Sequence, residues 1–195
     1  GARAAQEPEL LRAAVAAAVL STVSTVVQMA ALLFATDRPT FSAMRLPLLL
    51  AGIVAVIYGV LFTFRSDGKK SQAADQPGRA FNLMTALIFA ATVSAILLAS
   101  AAVNRWLGSA GLAVAAGLAG FADTHSAAIS VASLAAAEKI QASDAELPIL
   151  VALTTNTLTK AVVAVTTGGR KFAFRIIPGL VLVILAAWLG WAIRG

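Results

Sequence analysis

The stretch that decides the fold is 108–140, GSAGLAVAAGLAGFADTHSAAISVASLAAAEKI. Its 33 residues are too many for one membrane-spanning helix and too few for two, since a crossing takes about 20 apolar residues. Asp123, Thr124 and His125 interrupt it near the middle, behind a half rich in glycine. The pattern predicts two short half-helices meeting at Phe121 to His125. Such a broken or re-entrant element is tolerated in a bilayer only where protein or water covers the freed backbone groups.

The rest of the chain supplies the membrane setting. Apolar stretches at 10–35, 46–64, 81–103, 147–167 and 177–193 are each long enough to span, with Pro148 and Pro178 expected at helix starts, where a missing N–H costs little. Of 195 residues, 59% are hydrophobic and 12% charged, against roughly a quarter charged in a soluble domain. The reading is an all-α polytopic membrane protein, one transmembrane domain over 1–195, with about five spanning helices plus the broken element at 108–140. The absence of cysteine removes disulfides, thiolate metal sites and cysteine nucleophiles together. The opening Gly1-Ala2-Arg3 carries no signal-peptide pattern, as expected of a trimmed chain or a fragment.

The formal charge of +6 reports orientation rather than a nucleic-acid partner. The polar segment 65–80 holds Arg65, Lys69, Lys70 and Arg79 against Asp67 and Asp75, and 168–176 holds Arg170, Lys171 and Arg175 against no acid. Both are expected on the cytoplasmic side. Asp144 and Glu146 put 141–148 outside, which requires the broken element to begin and end on one face.

A weak internal repeat accompanies this topology. A shift of 132 sets Thr22, Ser24, Thr25 and Gln28 over Thr154, Asn156, Thr157 and Lys160; a shift of 131 sets LPLLLAGIVAVIYG at 46–59 over IPGLVLVILAAWLG at 177–190. With the orientation above, the two copies are inverted, an architecture that recurs in secondary transporters with a broken helix near the midplane. The competing explanation is two generic hydrophobic hairpins.

Asp123, His125 and Lys160 are the ionisable groups expected at membrane depth, where a charge costs roughly 2.5–3.5 kcal/mol on insertion scales. Mutual pairing of Asp123 with Lys160 offsets that cost, with Asn156 one turn before Lys160 on the same face; the pair either lines a pathway or only fixes helix packing. Histidine, the side chain that changes charge near neutrality, occurs once, at His125, and a hydrogen-bonded or proton-handling role suits it better than a metal. Asp123 and His125 alone are an incomplete ligand set. Ser126, Ser130 and Ser133 lie along one helix face, suited to close packing or to a water-lined path. In TTNTLTK, 154–160, the threonines can bond back to their own helix, whereas the Asn156 amide needs partners elsewhere. The candidate pathway is therefore Asp123, His125, Ser126, Ser130, Asn156, Thr157 and Lys160. Arg105, Trp106, Trp188 and Trp191 are read as interfacial anchors.

The glycine-rich run into Asp123, with TTNTLTK after it, resembles the C-terminal membrane domain of unknown function found in many bacterial MgtC/SapB-type proteins. Gly117, Gly120, Asp123, Ser130, Asn156 and Lys160 match its motif positions, and the resemblance covers most of the chain. His125 departs from it, since a second acidic residue is common there. The family's upstream glycine-rich Ser/Thr motif is missing, which implies a fragment or a site completed by a second copy in a homodimer. The resemblance implies a multi-pass protein of a bacterial inner membrane.

The expected function is transport or channelling of an ion or small solute; the rival is a non-transporting membrane subunit that regulates a partner membrane protein. No nucleophile and base pair and no nucleotide loop is legible, so neither an enzyme nor a cofactor is expected.

Overall fold

The structure, a computed structural model, describes residues 8–64, 87, 91, 94 and 111–194. Apart from 87, 91 and 94, which are helical, the expected span at 81–103 lies outside the described residues, as do the segment 65–80 and the anchors Arg105 and Trp106. Those described are helical or in turns: α1 (Pro8–Thr36), α2 (Arg38–Phe64), α3 (Gly111–Ala122), α4 (Thr124–Ala136), α5 (Glu146–Gly168) and α6 (Arg170–Arg194). Four of them, α1, α2, α5 and α6, are long and apolar enough to cross a membrane. Apolar side chains cover their outward faces, Leu20, Leu49, Phe174 and Leu185 among them, as a lipid solvent requires.

Asp37 alone separates α1 from α2, and its carboxylate accepts from Thr40 N at 2.8 Å, capping the new helix. The second span therefore begins eight residues before the expected 46. Val19 faces Gly59, Val26 faces Gly52 and Phe34 meets Phe41, so the two helices are antiparallel. At the other hairpin, Gly169 takes a φ of 76° between α5 and α6, a conformation glycine adopts without steric cost. Glu146 meets Arg194 at the end of this hairpin away from the turn, and Trp188 Nε1 donates to Thr154 Oγ1 at 3.1 Å. Trp188 thus turns its polar atom into the bundle rather than anchoring it at an interface.

Pro148 lies in the first turn of α5, as expected, but Pro178 does not start a helix, contrary to the sequence expectation; it sits inside α6, as Pro47 sits inside α2. A proline in a helix leaves the carbonyl four residues earlier without its donor. For Pro47 that carbonyl is Ala43 O, and Arg194 Nη1 donates to it while also facing Glu146 Oε1 at 3.3 Å. Near Pro178, the Tyr58 hydroxyl donates to Arg175 O at 2.6 Å. The two long helices α2 and α6 thereby run antiparallel, each presenting its C-terminal half to the proline of the other. Gly190 allows the closest approach, since a Cβ there would lie 2.8 Å from Pro47 Cα.

These contacts define two ends of the bundle. Arg194, Glu146, Ala43 and the α1–α2 junction lie at one; Tyr58, Arg175 and the α5–α6 turn lie at the other. The core between them is centred on Met29, Leu33, Met44, Ile149 and Leu150, all fully buried. Against it pack Ala127, Ala128, Val131 and Ala132 of α4, whose small side chains let that helix lie close to both α1 and α5.

Candidate functional site

The half-helices meet where the sequence places the break. Asp123 is the single non-helical residue between α3 and α4, in an extended conformation with φ −157° and ψ 116°. Its carboxylate caps α4: Oδ1 accepts from His125 N and His125 Nδ1, both at 3.0 Å, and Oδ2 accepts from Ser126 N at 3.0 Å and Ser126 Oγ at 2.5 Å. Four donors fill the acceptor capacity of a carboxylate, and the positive end of the helix favours its charge. Two buried atoms beside it have no partner among the described residues, Thr124 Oγ1 and His125 Nε2. With Nδ1 donating to Asp123, Nε2 is an acceptor in the neutral ring and a donor in the imidazolium.

Contacts with α5 fix the depth of this break. Gly117 faces Val151, Gly120 faces Ala152 and Thr155, and Phe121 O accepts from Thr159 Oγ1 at 3.2 Å, so α3 runs in the same direction as α5. Thr159 lies thirteen residues past Glu146, which puts the break about 20 Å along the α5 axis at 1.5 Å per residue. From there α4 leads through the turns at 137–145 to the start of α5. The broken element therefore starts and finishes toward the Arg194 end, with Asp123 deep in the bundle. Gly120 is what lets α3 sit against α5: a Cβ would lie 2.7 Å from Ala152 Cα.

One residue beyond Thr159, Lys160 extends to α1, where its Nζ donates to Thr25 Oγ1 at 2.8 Å. Thr25 Oγ1 in turn donates to Ser21 O at 2.8 Å. The expected pairing of Asp123 with Lys160 is not formed. The ion pairs among the described residues are His125 with Asp123 and Arg194 with Glu146. The reason is local: the α4 cap saturates Asp123, and a threonine hydroxyl on a neighbouring helix is within reach of the lysine.

The other candidates divide. Thr157 and Ser130 donate to Leu153 O and Ser126 O, each at 2.8 Å, within their own helices. Ser126, Ser130 and Ser133 form an exposed face of α4, so this stripe is not a packing surface toward the described helices. The Asn156 amide is half-buried and makes no hydrogen bond to a described residue. Sequence reasoning missed Thr159, Thr25 and Thr124. Thr25 was legible as the repeat counterpart of Thr157, but nothing local distinguishes Thr159 from its neighbours. No third carboxylate or imidazole among the described residues joins Asp123 and His125; the pair offers a metal two protein ligands, short of the usual four.

The chain belongs to the DUF4010 family, a domain of unknown function, whose family model matches residues 1–168. No curated protein and no solved structure matches it.

Proposed function

We propose that this chain moves an ion or small solute across a bilayer, with the break at Asp123 forming the deepest part of the path. The observation that carries the reading is the exposure of that carboxylate: the Asp123 side chain is 42% exposed, yet it lies level with Thr159 and Lys160 on a helix long enough to span. A charge kept only for packing would be sealed in, because an open one at that depth is costly. The half-buried Asn156 amide, which makes no hydrogen bond to a described residue, can meet a solute or water, His125 Nε2 is a buried polar atom beside the carboxylate, and Lys160 sets the electrostatic limit on the α1 side.

The wider arrangement supports the same reading. A half-helix pair that enters and leaves at one end is the re-entrant form, with 141–148 and the basic 168–176 toward opposite ends of α5, and the basic charge of 168–176 supports a cytoplasmic side for it. The antiparallel clasp of α2 and α6 fits two inverted copies, since the shift of 131 relates Pro47 to Pro178 and Gly59 to Gly190. A second copy covering the serine face of α4 accounts for hydroxyls turned away from the bundle, so the working unit is a homodimer in a bacterial inner membrane. Kinship with the MgtC/SapB-type proteins belongs to this proposal and rests on the motif residues; the chain is taken to catalyse no reaction.

The test is a flux assay on the purified full chain in liposomes, across a panel of monovalent and divalent cations and anions. Flux above that of protein-free liposomes, lost in Asp123→Ala, is expected. No flux for any solute would overturn the reading in favour of a subunit that regulates a partner membrane protein.

A further inference from the structure

An open groove of about 590 Å³ runs along the outer side of the α1–α2 hairpin, a volume within the range of ligand sites, about 300–1,000 Å³. Val27, Ala30, Leu49, Ile53 and Ile57 line it, and among the described residues the one charged side chain on its wall is Arg45. Arg45 is exposed and takes part in neither ion pair found among the described residues.

The geometry gives the groove a polar head and an apolar tail. Arg45 lies two residues past Ala43, whose carbonyl receives Arg194 beside Glu146, so it stands at the polar layer of that end. The apolar wall then continues to Ile57, twelve residues on and about 18 Å along the helix axis, close to half of a hydrocarbon core about 30 Å thick. Gly52 keeps the floor low midway; a methyl group there would meet Val26 Cγ1 at 3.5 Å, an ordinary contact, so the position accepts a side chain.

We propose that this groove holds one acyl chain of an anionic phospholipid whose phosphate is bound by Arg45. The guanidinium fork matches a phosphate in two parallel hydrogen bonds, and an arginine with no acidic partner among the described residues favours a headgroup of net negative charge. Length, polarity and charge thus select the same occupant.

The experiment is native mass spectrometry of the full chain after reconstitution in vesicles of phosphatidylcholine with phosphatidylglycerol. A tryptophan at the groove, Ile53→Trp, is read in parallel for quenching by brominated acyl chains, as the difference from the parent chain. Preferential retention of phosphatidylglycerol is expected, reduced about fivefold in Arg45→Gln, the effect of about 1 kcal/mol for one basic side chain near a bilayer surface, and kept in Arg45→Lys. Gly52→Leu should release both lipids at unchanged helix content. Equal retention of the two lipids, or an Arg45→Gln variant identical to the parent, would show that Arg45 merely snorkels to water and overturn the proposal. Absence of quenching would overturn it too, since residues 81–103 or a second copy would then fill the groove.

Discussion

Asp123 receives four hydrogen bonds from within three residues of itself, so its charge depends on the start of α4 rather than on a distant cation. Asparagine caps a helix about as well as aspartate. Asp123→Asn keeps the cap through its one oxygen but loses the donors on the other, and should cost about 1 kcal/mol or less, while Asp123→Ala loses the cap altogether and about 0.5–2 kcal/mol. Lys160→Met removes an ammonium from membrane depth and leaves Thr25 still bonded to Ser21 O, so stability is expected to hold or rise. Because the two groups make no contact, their effects should add, with a coupling below about 0.5 kcal/mol. Thermal unfolding of the parent, Asp123→Asn, Lys160→Met and the variant carrying both, in detergent, measures this. A coupling above about 1 kcal/mol would restore the ion pair that the sequence suggested.

At the scale of elements, the two glycines of α3 face different obstacles. A methyl at Gly117 would meet the Val151 side chain at 2.9 Å, which a rotamer change relieves, whereas one at Gly120 would meet the backbone of Ala152. Gly120→Ala should cost about 1–3 kcal/mol, the usual penalty of overpacking, and Gly117→Ala distinctly less; equal losses would mean that α3 is not seated on α5 as described. The break itself was legible because Asp-Thr-His in an apolar run has no other use, and an aspartate two or three residues before free helix N–H groups is a cap. The starts of α2 and α6 were not legible. Proline is a strong signal for a helix start, and what allows Pro47 to sit inside a helix is a carbonyl partner from the far end of the chain, Arg194. That partner gives a further expectation: Arg194→Gln should lower stability by about 1–3 kcal/mol, since Ala43 O and Glu146 lose a charged donor together. Unfolding in detergent reads it, and an unchanged midpoint would show that lipid or water satisfies the kink instead.

For the molecule as a whole, the long apolar runs and the uneven placement of lysine and arginine make the membrane class and the approximate spans readable from sequence. Spatial partners such as Lys160 with Thr25 are set by how α1 and α5 cross, which no local pattern encodes. Topology joins the two kinds of information. Arg38 and Ser143 stand at the Arg194 end of the bundle and Lys171 at the Arg175 end, and basic residues near helix ends hold a membrane protein with that side inward. Because the chain contains no cysteine, single-cysteine variants report one position each. Arg38→Cys and Ser143→Cys should react with an impermeant thiol reagent added to intact cells, and Lys171→Cys only after the membrane is opened. Arg38 and Ser143 labelling from opposite sides would break the described bundle itself. Labelling of all three with inside and outside exchanged would keep the bundle and remove the charge argument for its orientation. The expected pattern satisfies both the packing of α2 against α6 and the larger number of basic residues in 168–176 and in 65–80, which follows α2, than in Arg38, Arg45, Lys139 and Arg194 at the other end; the broken element then opens outward, and Asp123 is reached from the outer face through the half of the bundle that α3 and α4 occupy.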